Sequence, residues 1–208
     1  MNKHFTTPVF VANFPSIFEM SSSKGEDGSE GALRYSIQMI FTPKDFTERE
    51  KAVWAAMEVE SERIMREVLK PVNPQPYYRD PFRKGSKSKQ NQSGLDYEKY
   101  PYLSDDNVVA NASNYSNKPG VVDIDRNPIL DKSQIYSGCY CVAVIELYAS
   151  GAKATSKAYK NPGVSASIIH VMKIADGKPL TAPSVTVDDA FADFTPVVPQ
   201  YAITSNDL

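Results

Sequence analysis

Alternation of apolar and polar positions is clearest over residues 33–41. Leu33, Tyr35, Ile37, Met39 and Phe41 occupy one face, and Arg34, Ser36 and Gln38 the other. A period of two predicts a half-buried strand. Residues 8–18 before it are apolar with aromatics at Phe10, Phe14 and Phe18, and predict a first strand. The polar, glycine-rich run over 21–28 predicts the loop between them. After Pro43 the period changes. Thr47 and Glu50 have the spacing of a capping box, and Val53, Met57, Ile64 and Val68 then recur at helical spacing, with Trp54 and Met65 widening the stripe. This predicts one helix over about 47–70, ended by Pro71 and Pro74, with Glu58, Glu62, Arg63 and Glu67 on its solvated face.

Further strands are predicted at 108–113 and 120–124, joined by a hairpin loop over 114–119. Residues 139–149 are nearly all apolar, with Tyr140 and Tyr148 on one face. Residues 163–174 put Val164, Ala166, Ile168, His170 and Met172 on a single face, which reads His170 as a core histidine. Five to seven strands and one early helix predict a mainly β fold, a small antiparallel barrel or sandwich with long loops. Residues 71–104 form a polar stretch without periodicity, and loops of that length are usually functional or disordered.

The 208 residues suit one domain, and their 41% hydrophobic and 23% charged fractions are those of an ordinary globular chain. No apolar run approaches the ~20 residues of a membrane helix. The start, Met1 to Phe5, lacks the apolar core of a signal peptide, so the expected address is cytoplasmic. Cys139 and Cys141 share a strand face at a spacing that disfavours a disulfide; they read as small buried apolar groups, with no metal or cofactor implied.

A net charge of −2 argues against a nucleic-acid partner, until its distribution is considered. Beyond Lys178 there is no Lys or Arg, while Asp188, Asp189, Asp193 and Asp207 remain. Basic residues gather instead in two stretches. The first interleaves Arg79, Arg83, Lys84, Lys87, Lys89 and Lys99 with Tyr77, Tyr78, Phe82, Tyr100 and Tyr102. Only Asp80, Asp96 and Glu98 oppose them. Cations that follow phosphates, with aromatic faces stacking on bases at ~1–3 kcal/mol each, are what a single-strand binder needs. A solvated loop with locally packed tyrosines has the same composition. The second stretch, 151–160, carries Lys153, Lys157, Tyr159 and Lys160 without an acid, and joins the two strongest strands. Oligonucleotide-binding barrels clamp a strand with such loops, although a soluble hairpin tip would look alike. Arg34, on the polar face of its strand, is a further candidate for phosphate contact.

Signs of catalysis are sparse. Asp123 and Asp125 share a strand face on which a nuclease could hold a cation, but no third acid or lysine accompanies them at a recognisable spacing. No nucleophile elbow, P-loop or dinucleotide fingerprint is present. The stretch bearing Asp188, Asp189, Phe191, Asp193 and Phe194 alternates acids with aromatics, a pattern suited to docking in basic grooves of partners or competing for the DNA groove, and equally to an edge segment or fraying tail.

In order and spacing the chain resembles the single-stranded DNA-binding proteins of tailed bacteriophages. The resemblance rests on Phe14-Pro15-Ser16-Ile17-Phe18, the strand from Tyr35 to Pro43 and its helix, Val121-Val122-Asp123, and Ile135-Tyr136-Ser137-Gly138. Downstream it continues through Gly163 to Ser167, Val171 to Leu180, and Asp188-Asp189-Ala190-Phe191. It implies an oligonucleotide/oligosaccharide-binding (OB) fold over 1–180, a weakly acidic tail over 181–208, and protection of single-stranded DNA in replication and recombination in the infected host's cytoplasm. It further implies contacts with replication proteins through the tail. Homo-oligomers are compatible with these features and a membrane partner is not. The competing expectation is a virion or assembly protein that uses the same β-domain for protein–protein contacts.

Overall fold

The computed structural model describes residues 3–22, 30–74, 76–87, 104–151 and 162–180. The described strands are β1 (His4–Thr6), β2 (Phe10–Ser21), β3 (Arg34–Phe41), β4 (Arg83–Lys84), β5 (Val108–Asn114), β6 (Gly120–Val122), β7 (Tyr140–Ser150) and β8 (Gly163–Ala175). β2, β3, β5, β8 and β7 pair in that order, and β7 returns to β2, closing a ring of five. Pairing around the ring is antiparallel except where β5 meets β8, which run parallel. This is the mainly β, OB-like arrangement expected, with one parallel seam that the strand pattern did not foretell.

Strand periodicity aims the core. Ile37, Met39 and Phe41 of β3 point inward with Ala12, Ala110, Ala112, Ile145 and Ile168, all essentially without solvent contact. Leu33, expected to begin that face, precedes the strand and is exposed. Cys139 and Cys141 are buried free thiols with their sulfurs 3.7 Å apart, in keeping with their reading as apolar filler.

Two departures share one cause, a local change of period. The helix α1 (Glu48–Arg63) starts at the expected box: Glu50 N–H donates to the Thr47 hydroxyl and Thr47 N–H donates to Glu50 Oε2. After Arg63 the chain enters a π turn over Ile64–Leu69 before a last short turn, α2 (Lys70–Val72). A wider turn moves the next core position from i+4 to i+5, so Leu69 is buried and Val68, the residue expected there, is exposed. In β8, Ile168 faces Ile145 and His170 faces Val144, which leaves Ile169 as an extra residue. The bulge inverts the alternation beyond it: Val171 enters the core and His170, expected inside, is exposed.

Residues 114–119 are not a hairpin loop. β5 and β6 both run parallel to β8 on the edge that β7 leaves free, so they are successive halves of one interrupted strand. Asn114 makes the break. Its Oδ1 accepts from the N–H groups of Ser116 and Asn117 while its Nδ2 donates to the Ile168 carbonyl.

A wedge formed by residues 79–84 fills the seam between β5 and β8. Arg79 N–H donates to Pro162 O, Val164 N–H donates to Arg79 O, and Arg83 pairs with Val109 of β5. Phe82 pins the wedge from behind, its ring 4.8 Å from that of Trp54, which also contacts Phe41 and Phe46. Close approach requires glycine at 163, since a Cβ there would lie 2.3 Å from Arg79 O. Gly163→Ala is expected to destabilise the fold by about 1–3 kcal/mol through overpacking, and Thr47→Ala by about 1 kcal/mol through loss of the cap. Urea unfolding checks both; a wild-type midpoint for Gly163→Ala would mean that the wedge yields without cost.

Candidate nucleic-acid interface

Cross-strand partners share a sheet face, so the register assigns the outer surface of β2, β3 and β5 row by row. Val11, Ile40, Val109 and Arg83 make one row. Asn13, Gln38 and Asn111 make the next, then Ser16, Ser36 and Ser113, and Arg34 opposite Ser21 ends the surface. The second row is a ladder of amides: Asn13 Nδ2 donates to Gln38 Oε1 at 2.8 Å, and Gln38 Nε2 donates to Asn111 Oδ1 at 3.3 Å. Asn13 is buried and Asn111 exposed, so a side chain locked in the sheet orients one that faces water. The result is a floor of uncharged donors and acceptors, suited to base edges, sugars and phosphates alike.

Cations stand at both ends of this floor. Arg34 lies at one, beside the roots of the β2–β3 connection. At the other lies the wedge, beside Ser150 and Gly163, the roots of the β7–β8 connection. The parallel pairing of Ala112 with Ala166 sets that polarity, because it puts the start of β8 alongside the start of β5. Arg79 links the wedge to those roots by side chain too, its Nη2 donating to Ser150 Oγ and Ser165 Oγ, both at 2.8 Å. Arg83 shares the outer row with Val109; half-buried, its guanidinium is pushed below its ordinary pKa by burial and then by the Arg79 charge. Among the described residues neither arginine, nor Lys84 or Lys87, forms an ion pair. Two neighbouring cations, neither held in an ion pair, favour an anion.

The other candidates from the first basic stretch separate into three groups. Tyr77 is 87% exposed, and Lys84 and Lys87 are exposed, although register turns Lys84 to the side of Val108, away from the floor. Tyr78 and Phe82 are half-buried against the core, Tyr78 donating its hydroxyl to Asn73 O at 3.0 Å, so they hold the segment in place. Lys89, Lys99, Tyr100 and Tyr102 lie outside the described residues, as do Lys153, Lys157, Tyr159 and Lys160, and Asp188, Asp189, Phe191, Asp193 and Phe194.

Sequence reasoning missed the floor itself. Ser36 and Gln38 were visible as a polar face, but Asn111 and Ser113 gain meaning only from the register that lays them alongside. Asp123, the candidate cation ligand, uses both carboxylate oxygens on Asn127, whose hydrogen bonds hold its pKa below the usual carboxylate range. It braces a turn. A groove of about 260 Å³ at the Val11–Ile40 end of this surface, lined also by Val9, Tyr140, Asp45 and Glu50, carries two carboxylates that disfavour phosphate.

Among the described residues no helix is long and apolar enough to cross a membrane. No curated protein matches the chain. Of solved structures, the single-stranded DNA-binding protein from bacteriophage Enc34 in complex with ssDNA aligns with a TM-score of 0.57 at 18% identity, over 86% of this chain and 89% of that one. Gp2.5, a single-stranded DNA-binding protein encoded by bacteriophage T7, aligns with a TM-score of 0.53 at 16% identity, over 99% and 100%. At these identities the likeness is one of fold. The family described as Enterobacter phage Enc34, ssDNA-binding protein, matches residues 5–198, nearly the whole length, and it is to this family that the chain belongs.

Proposed function

We propose that this protein binds single-stranded DNA without strong sequence preference, as a non-enzymatic factor of phage replication and recombination in the cytoplasm of the infected host. The observation that carries the reading is the outer surface of β2, β3 and β5: an uncharged hydrogen-bonding floor with cations at both ends, of which Arg79 and Arg83 at the wedge form no ion pair among the described residues. In OB folds this sheet face and the connections flanking it hold oligonucleotides. Phosphates pair with Arg34, Arg79 and Arg83, and bases lie over the amides and serines. Lys87, Lys89 and Lys99, with Lys153, Lys157 and Lys160 of the β7–β8 connection, supply further phosphate contacts by their composition, and Tyr77, Tyr100, Tyr102 and Tyr159 supply stacking surfaces. Residues 1–180 form the DNA-binding domain, and the acids and aromatics over 181–208 serve as a tail that docks replication proteins.

Binding is expected to be salt-dependent, with a log–log slope of roughly −0.7 per phosphate neutralised. Fluorescence anisotropy with labelled oligo-dT measures it; no affinity at low salt would falsify the proposal. Arg83→Ala is expected to weaken binding and make the slope shallower by about 0.7, and Lys84→Ala to do less, since its register turns it from the floor. Equal losses would place the DNA elsewhere.

Asp80, within the wedge, supplies an opposite test. Although Asp80 is exposed, desolvation by the surrounding chain, and less so the nearby Glu62, raise its pKa, while its Oδ1 accepts from Phe82 N–H. A carboxyl whose folded pKa exceeds its unfolded one costs stability as pH rises between the two values. Asp80→Asn keeps the acceptor and removes the charge. It is expected to bind oligo-dT more tightly than wild type, and to gain stability over wild type as pH rises from below the usual carboxylate range to neutrality. Thermal melts across that range report the second effect, and a constant difference would count against it.

A further inference from the structure

Phe14 departs from local backbone preference twice. Its φ is +45°, a region bulky residues scarcely enter, and it precedes Pro15, which restricts the residue before it to extended backbone. The register shows why. Between the pairs Asn13–Gln38 and Ser16–Ser36, β2 has two residues where β3 has one, so Phe14 lies on a bulge. Its N–H, lost to the ladder, donates to Ser137 Oγ at 3.0 Å. Two residues earlier, Gly138 N–H donates to Ala12 O and Ala12 N–H donates to Cys139 O. The surroundings thus over-determine a strained conformation.

Core packing does not explain the residue found there. Phe10 and Ile17 of the same strand are buried, whereas Phe14 is 56% exposed. Glycine would meet the backbone requirement without strain and without placing an aromatic ring in water. Both penalties fall on β2 between the pair Asn13–Gln38 of the amide row and the pair Ser16–Ser36 of the serine row, beside the floor assigned above to DNA.

We propose that Phe14 is a base-stacking residue of the single-strand interface, held out on the β2 bulge so that a nucleobase covers its ring. The inference rests on the single-stranded DNA reading and adds to it a named stacking position. Aromatic stacking tolerates every base, as a sequence-indifferent binder requires.

Phe14→Gly and Phe14→Tyr, with the full chain as reference, are titrated with oligo-dT and with an abasic oligonucleotide of equal length, and melted. Phe14→Gly is expected to melt at or above the wild-type temperature. It should bind oligo-dT about 5- to 100-fold more weakly, the equivalent of one stacked base, with an unchanged salt slope. Phe14→Tyr should bind as wild type, and the abasic oligonucleotide should not distinguish the three proteins. Phe14→Gly within twofold of wild type on oligo-dT would overturn the proposal. So would an equal loss on the abasic strand, or a melting temperature several degrees lower, which would make the ring structural. Failure of wild type to bind oligo-dT at all would remove the underlying reading instead.

Discussion

Buried backbone N–H and C=O groups need partners, and at the seam between β5 and β8 the ring itself is short of them. The two strands share the pairing of Ala112 with Ala166. Toward the start of β8 the chain resolves the deficit with a foreign segment: Arg79 gives its N–H to Pro162 and takes that of Val164, and four residues on Arg83 pairs with Val109. Phe82, between them, is anchored on Trp54 and thereby on the helix. A need of the sheet therefore brings a run of cations to the margin of the outer surface. Were β5 and β8 paired along their whole length, residues 79–84 would have no edge to bind.

Charge makes sense at this local scale. The chain is net acidic, yet many described acids are already engaged: Glu60 and Glu67 with Arg63, Glu48 with Lys51, Asp106 with Lys44, Asp176 with Lys173. Pairs of this kind on an exposed surface contribute little stability but neutralise each other at a distance. At the wedge Arg79 lies beside Arg83 and, among the described residues, neither forms an ion pair; their mutual repulsion and the partial burial of Arg83 favour an incoming anion. Net charge thus averages over a surface whose two faces have different electrostatics.

Elements with one unbroken period were legible in the sequence. The alternation of β3, the apolar run of β7 and the capping box of α1 each follow from nearest-neighbour chemistry, and each lies where the pattern put it. Illegible were the points at which the period slips. The π turn exchanges Val68 for Leu69, and the bulge at Ile169 turns His170 outward, because one residue of slip reverses every face beyond it. The continuation of β5 into β6 escaped notice for a related reason: Asn-rich segments signal a turn, but not whether the chain reverses after it. Function was legible as composition and illegible as position. Tyr78 and Phe82 look like stacking residues in a list but pack inward, whereas Asn111 and Ser113, inconspicuous in the chain, become a floor once three strands are laid together.

The bulge in β2 shows why the ring and its outer surface are hard to separate. β2 pairs with β7 at Phe10 and Val11 and with β3 along most of its length, so it must bend away from one neighbour while keeping the other. A bulge supplies that bend by freeing a residue from the ladder. The segment from Ser137 to Cys139 takes over where β7 leaves off, bonding Ala12 and Phe14, and the Ser137 carbonyl in turn receives the N–H of Leu180. The same geometry that closes the ring holds the residue at position 14 away from the core. Ring closure calls for a bulge there but is indifferent to the side chain on it. An aromatic at this point must answer to something outside the fold, and the amide and serine rows beside it indicate what lies across.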